Sequence, residues 1–131
     1  MNLSEIYNLR SKIIACAFEV ARNLKPGFLE IVYANALSLE LSMNGIKFER
    51  EKAIDVYYKG YCIGQYKADF IVENCYILEL KAVSSILKEH EVQLVNYLTA
   101  TGIDEGMILN FGEHPFKFRT KFRDYTPRLK D

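Results

Sequence analysis

The sequence predicts an α/β (α+β) fold whose eight elements run in the order α-α-β-β-β-α-β-β. Two observations carry that expectation. Apolar residues recur at helical spacing through residues 3–43 and again over 86–101, while the stretches between and after them are rich in strand formers. Turn signals at Lys59-Gly60 and Glu73-Asn74 join the first three strands. At 131 residues, 50% hydrophobic and 26% charged, the chain reads as one globular domain, 1–131, able to bury about two-thirds of its unfolded surface.

The first helix is expected over residues 3–24. Leu3, Ile6, Ile13, Ala17, Val20 and Leu24 fall at helical spacing, and Asn2 with Glu5 makes an N-terminal cap. Pro26-Gly27 breaks it. A second helix follows from about Phe28 to Met43, ended by Asn44-Gly45. Lys47 to Tyr58 is a strand in which Ile54, Val56 and Tyr58 alternate with Asp55 and Tyr57. After the Lys59-Gly60 turn the chain returns from Tyr61 and enters a hairpin, Tyr66–Ala82, that turns at Glu73-Asn74. Ser84 and Ser85 can cap a third helix over about Ile86–Thr101, stopped by Gly102. Met107–Phe111 is a short apolar strand, and Phe116–Arg123 is the last one, after a Gly112-Glu113-His114-Pro115 loop.

Cys16, Cys62 and Cys75 are odd in number and widely spaced, which suits reduced core thiols of a cytoplasmic protein. The start lacks a basic region followed by an apolar core, so no signal peptide is expected. No apolar run is long enough to cross a bilayer, so no membrane partner is expected. Net charge is zero but uneven. Residues 115–131 carry Lys117, Arg119, Lys121, Arg123, Arg128 and Lys130 against only Asp124 and Asp131.

The hairpin carries the first candidate chemistry. With its turn centred on Asn74, Asp69 and Glu79 lie directly across from each other, roughly 5 Å apart. Like charges so placed repel, and a divalent cation between them would offset that. Glu79 and Lys81 share one face, Leu78 and Leu80 the other. The plainer alternative is a solvated Glu79–Lys81 ion pair with Asp69 as an ordinary edge residue. Glu30 sits in a first helical turn, where the helix dipole alone can account for it. On the third helix His90, Gln93 and Tyr97 are spaced i, i+3 and i+7 and line up on one face, beside an apolar stripe of Leu87, Leu94 and Leu98. A plain surface histidine is the alternative for His90. In the last strand Lys117, Arg119, Lys121 and Arg123 alternate with Phe116, Phe118, Thr120 and Phe122. That basic face either tracks a phosphate backbone or protects an edge strand from aggregation.

Gly27-Phe28-Leu29-Glu30-Ile31-Val32-Tyr33 matches Gly-x-x-Glu-x-x-Tyr and resembles the signature of the GxxExxY protein family. The similarity continues through Ala68-Asp69-Phe70, Glu79-Leu80-Lys81, Gln93-Leu94-Val95-Asn96-Tyr97-Leu98 and Asn110-Phe111-Gly112, nearly the whole chain. That family looks like a branch of the PD-(D/E)XK nuclease superfamily, and Gln93-x-x-x-Tyr97 resembles the motif that follows Glu-x-Lys in its RecB-like exonucleases. Ala68 stands where the superfamily name has proline, a position that supplies no ligand.

The resemblance implies a restriction-endonuclease-like core, a central mixed β-sheet flanked by helices. It implies a nuclease for DNA or RNA, DNA ahead of RNA, that uses Mg²⁺ or Mn²⁺. Asp69, Glu79 and the backbone carbonyl of Leu80 would hold the ion, with Glu30 as an outer or water-mediated ligand. Lys81 would orient or deprotonate the attacking water. Gln93 would position Lys81 or the phosphate, and Tyr97, with His90 and the basic strand, would meet the nucleic acid. A homodimer is admitted. The competing reading is a nucleic-acid- or protein-binding domain that keeps a nuclease fold without cutting. The presence of Lys81 and both ligands argues against it.

Overall fold

The computed structural model describes residues 1–123. Its elements are α1 (Leu3–Leu24), α2 (Glu30–Met43), β1 (Phe48–Tyr58), β2 (Tyr61–Val72), β3 (Tyr76–Lys81), α3 (Lys88–Thr101), β4 (Glu105–Asn110) and β5 (Lys117–Phe122). The expected order holds. The strands form one mixed sheet in spatial order β1-β2-β3-β4-β5, antiparallel except for the parallel β3–β4 pair that α3 connects. No described helix is long and apolar enough to cross a membrane.

Local chemistry sets the boundaries. Asn2 accepts the Glu5 amide and Glu5 reaches back to the Asn2 amide, closing the expected capping box. Both hairpin turns use left-handed backbone, at Lys59-Gly60 and at Glu73-Asn74, the conformation that matches strand twist. The second turn is centred on Asn74 as expected, so Val72 faces Tyr76, Ile71 faces Ile77 and Phe70 faces Leu78.

Several boundaries move by a residue or two, with α2 opening at Glu30 and not Phe28, and two of the shifts have causes that bear on the site. The third helix starts at Lys88, not Ile86, and neither serine caps it; the Leu87 amide donates to Nδ1 of His90 instead. The reason lies upstream. Asn110 holds both the amide and the carbonyl of Val83, so the chain crosses the end of β4 as a loop before it can wind up. The fourth strand begins at Glu105, two residues before the apolar run. A charged residue can open a buried strand here because Arg10 of α1 grips Glu105 through Nε and Nη2 at 2.6 and 2.7 Å, and the Tyr76 hydroxyl donates to it at 2.6 Å.

The sheet is covered on both faces. Helices α1 and α2 bury Leu9, Ile13, Val20, Tyr33, Leu37 and Leu41 against Phe70, Leu78, Leu80, Met107 and Leu109. Helix α3 buries Leu94, Tyr97 and Leu98 against Ile54, Ala68, Ile71, Ile77 and Ile108. Each such side chain contributes roughly 1.5–3 kcal/mol on leaving water. Double coverage leaves every residue of β3 but Lys81 buried. Glu79 is thereby only 5% exposed.

Candidate active site

Besides the register shift between Val56 and Tyr57, regular alternation fails at the carboxylates. Residues two apart in a strand share a face. Yet Ala68 packs with the α3 side and Phe70 with the α1–α2 side. Across the ladder Arg50 pairs with Phe70 and Lys52 with Ala68, and the pair between them, Glu51 and Asp69, is missing. Glu51 adopts φ 48°, a left-handed value that costs a non-glycine residue of order 1 kcal/mol. Both strands switch faces at this kink.

The kink also ends the β2–β3 ladder, whose last pair is Phe70–Leu78. One step beyond, side chains take over from backbone. The Asp69 amide donates to Glu79 Oε2 at 2.8 Å, and the Leu80 amide donates to Asp69 Oδ2 at 2.7 Å. The two carboxylates do lie across from each other, as the hairpin predicted, but each holds the other strand's backbone. The second oxygen of each accepts no hydrogen bond from the described residues.

Electrostatics follow from that burial. Desolvation pushes the Glu79 carboxyl up to about 8, and the charge of Asp69 adds to the shift. Asp69 is also raised by burial, against the pull of the Leu80 amide, Lys81 and Arg50. Glu30 is raised by burial and then by Asp69, so the three carboxylates feel one another. Lys81 supplies nearby positive charge to all three. It enters none of the close ion pairs among the described residues, so the solvated Glu79–Lys81 pair is not formed.

Glu30 arrives through the Gly27–Tyr33 stretch, and each motif residue has its own job. Gly27 takes φ 126°, which side chains rarely adopt. The Tyr33 hydroxyl donates to the Lys25 carbonyl at 2.6 Å and accepts the Phe28 amide at 3.1 Å, tying the turn shut. Its ring stacks on Phe111 at 4.9 Å and 5°. Glu30 is then the first residue of α2, facing a cleft of about 250 Å³ that Arg50, Glu51 and Asp69 also line. The Asn110-Phe111-Gly112 stretch completes the frame: Asn110 also takes the Gly112 amide, and a Cβ on Gly112 would collide with the Val83 backbone.

On α3, burial and then the charges of Glu79 and Asp69 push the Tyr97 hydroxyl up to about 12. Gln93 and Tyr97 line one groove with Tyr66. His90 is committed to its helix cap. The basic strand divides. Lys121 pairs with Glu91 at 3.0 Å and Arg123 with Asp104 at 2.7 Å, while Lys117 and Arg119 form no ion pair among the described residues. Arg119 shares a row with Ile108 and Glu79, and Lys117 with Asn110 and Lys81, so both lie on the site's side of the sheet about two strand spacings away, roughly 10 Å. Arg128 and Lys130 lie outside the described residues.

Arg50, Glu51 and Tyr66 went unread in the sequence. Phe48 and Ile54 both occupy even positions, so nothing in the alternation betrays the switch of faces at Glu51.

The donor set suits a hard cation. Carboxylate oxygens that crowd one another and enter no close ion pair among the described residues are what Mg²⁺ or Mn²⁺ takes. Among the described residues, no three His, Cys, Asp or Glu side chains already close on a common point.

Over residues 7–122 the sequence matches the family described as the PD-(D/E)XK nuclease superfamily. The crystal structure of SSO0001 is similar, with a TM-score of 0.56 and 19% identity over 72% of this chain and 50% of that one. At that identity the likeness is one of fold, and the chain spans about half the length of that structure. No curated protein matches the sequence.

Proposed function

The chain belongs to the PD-(D/E)XK nuclease superfamily, and from that premise we propose that it is a metal-dependent nuclease hydrolysing phosphodiester bonds of DNA or RNA. One observation carries the reading: buried Glu79 and half-buried Asp69, each bonded to the other's strand, each keep an oxygen with no partner among the described residues, in the field of Lys81. Within the superfamily, the separate roles of Gly27, Glu30 and Tyr33 support a place in the GxxExxY branch. The three free cysteines support a cytoplasmic setting.

Asp69, Glu79 and the Leu80 carbonyl would hold Mg²⁺ or Mn²⁺, with Glu30 acting through water. The ion supplies Lewis acidity at the phosphate and a lowered pKa for bound water. The chain's own residues do the rest. Lys81, at the end of β3, orients the attacking water as an ammonium donor and offsets charge building on the phosphate. Gln93 steadies Lys81 or the phosphate from α3. Tyr97 keeps its proton at neutral pH and can donate to a phosphate oxygen. Lys117 and Arg119 meet the backbone further along.

The competing reading is binding without cleavage. Mn²⁺ calorimetry together with cleavage of single- and double-stranded DNA and RNA separates the two. Wild type should bind the ion and cut. Lys81→Ala should cut at least about a hundredfold more slowly yet bind the ion almost as wild type does, while Glu79→Ala should lose both. Equal metal-binding losses in the two variants would refute this division of roles. Binding of nucleic acid without any metal uptake would favour the non-catalytic reading.

A further inference from the structure

A trough runs along α3, on the face of the sheet that Glu79 and Lys81 share. Its near part, about 440 Å³, lies between α3 and β2 and is bounded by Tyr66, Lys88, Glu89, Gln93, Asn96 and Tyr97. Its far part, about 480 Å³, shares Tyr66 and Asn96 and reaches Asp55 and Tyr57. Tyr97 joins the trough to the site: its ring lies 5.3 Å from that of Tyr66, and its hydroxyl sits in the field of Glu79 and Asp69. Tyr66 is 49% exposed and Tyr57 64% exposed. Both stand on a stretch of the β1–β2 hairpin that no third strand covers, because β2 pairs with β3 only over residues 70–72.

The lining matches one kind of occupant. An exposed ring offers a face to any base, Gln93 and Asn96 can pair with base edges, the carboxylates Glu89 and Asp55 can accept from exocyclic amines of bases, and Lys88 suits a phosphate. A ring inside a trough can meet a base only if the base has left its own stack. In a duplex those faces are already covered. Tyr97 belongs both to the trough and to the surroundings of Glu79 and Asp69, so a strand lying here ends beside the proposed site of cleavage.

Resting on the nuclease reading above, we propose that this trough receives a single, unpaired strand of nucleic acid, with one base stacked on Tyr66 and the next phosphate delivered to Lys81. Tyr66 is a substrate-binding residue that sets strand preference.

The test is fluorescence anisotropy with a short labelled oligonucleotide and with its duplex, in chelator so that nothing is cut. Mn²⁺ calorimetry and Mn²⁺-dependent cleavage are measured on the same proteins. Wild type should bind the single strand more tightly than the duplex. Tyr66→Ala should weaken single-strand binding about tenfold or more, and Tyr66→Phe, which keeps the ring, should restore it. Duplex binding should not change, and both variants should take up Mn²⁺ as wild type does. Duplex binding as tight as single-strand binding, no binding of either form, or a Tyr66→Ala variant that binds and cuts like wild type would each overturn the proposal while leaving the nuclease reading standing. A wild-type protein that neither takes up Mn²⁺ nor cuts any strand would bring down the nuclease reading, and the trough proposal with it.

Discussion

Glu79 and Glu105 stand on neighbouring parallel strands, and each is 5% exposed. Their surroundings could hardly differ more. Glu105, at the start of β4, is clasped by both arms of the Arg10 guanidinium and by the Tyr76 hydroxyl. That contact raises Arg10, and burial followed by Glu105 raises Tyr76, so both keep their protons. Glu79, near the end of β3, has a backbone amide, the like charges of Asp69 and Glu30, and Lys81 nearby but in no close ion pair among the described residues. One carboxylate completes the fold. The other is left incomplete by it, and the incompleteness is confined to the kink where the ladder stops. Burial alone therefore does not mark a functional carboxylate; the unformed ion pair does.

Removing the counter-charge where it exists should produce the largest effect. Arg10→Ala leaves Glu105 buried without its cation and should cost about 3–5 kcal/mol in urea unfolding. A loss below about 1 kcal/mol would mean that Glu105 finds water, and the contrast with Glu79 would collapse.

Adding a counter-charge at Glu79 and Asp69 comes next. Wild type should gain about 2.7 kcal/mol when Mg²⁺ or Mn²⁺ reaches about 100 times its dissociation constant. For a chain of this size that is a rise in melting temperature of about 10 °C. Asp69→Asn should match or slightly exceed wild type in chelator, since one repelling charge is gone, and should show little of the metal-induced rise. Loss of several kcal/mol by Asp69→Asn in chelator, with no metal response in wild type, would make Asp69 structural.

The pH response sharpens the comparison. The folded-state value of Glu79, about 8, lies above its ordinary 4.5, so folding favours the protonated form. That stabilisation is full below about pH 4.5 and is lost as pH rises through about 8. Metal-free protein should therefore be less stable at pH 9 than at pH 6, by of order 1–3 kcal/mol. Glu79→Gln should flatten that slope in chemical-denaturation curves. An unchanged slope in the variant would show that the burial cost falls elsewhere.

The smallest effect concerns the two cations of β5 that form no ion pair among the described residues. Neutralising Lys117 and Arg119 together should reduce the salt dependence of nucleic-acid affinity by about 2 units of slope. Lys121 and Arg123, held by Glu91 and Asp104, should contribute less to the slope and more to stability. An unchanged slope in the Lys117 and Arg119 double variant would leave β5 an edge strand protected by charge.

Much of this was legible in the sequence, because it depends on local signals. Turn residues fixed the hairpin register, and the register placed Asp69 opposite Glu79. The apolar spacing of α1 and α3 marked most of their buried faces, though Leu3 and Leu87 at the helix starts are exposed. What stayed hidden depends on distant partners. Glu105 looks like a loop residue until Arg10 is seen beside it, and His90 looks like a surface histidine until the Leu87 amide is seen to need an acceptor. The face switch at Glu51 leaves alternation unbroken, so neither Arg50 nor the cleft beside it could be read in advance.

The grip of Arg10 on Glu105 also has a consequence for synthesis. The two residues are 95 positions apart, so the clasp closes one of the longest loops in the described chain. Contacts of such separation are slow to form, because the chain entropy of closing the loop precedes any gain. On the ribosome α1 emerges before the strands and must wait for β4 before its arginine finds a partner. Residues 69 and 79 emerge well before then, on strands whose β4 neighbour has not yet been made. Pulsed hydrogen exchange on refolding protein should accordingly show the β1–β2 hairpin protected before α1, and α1 protected together with β4.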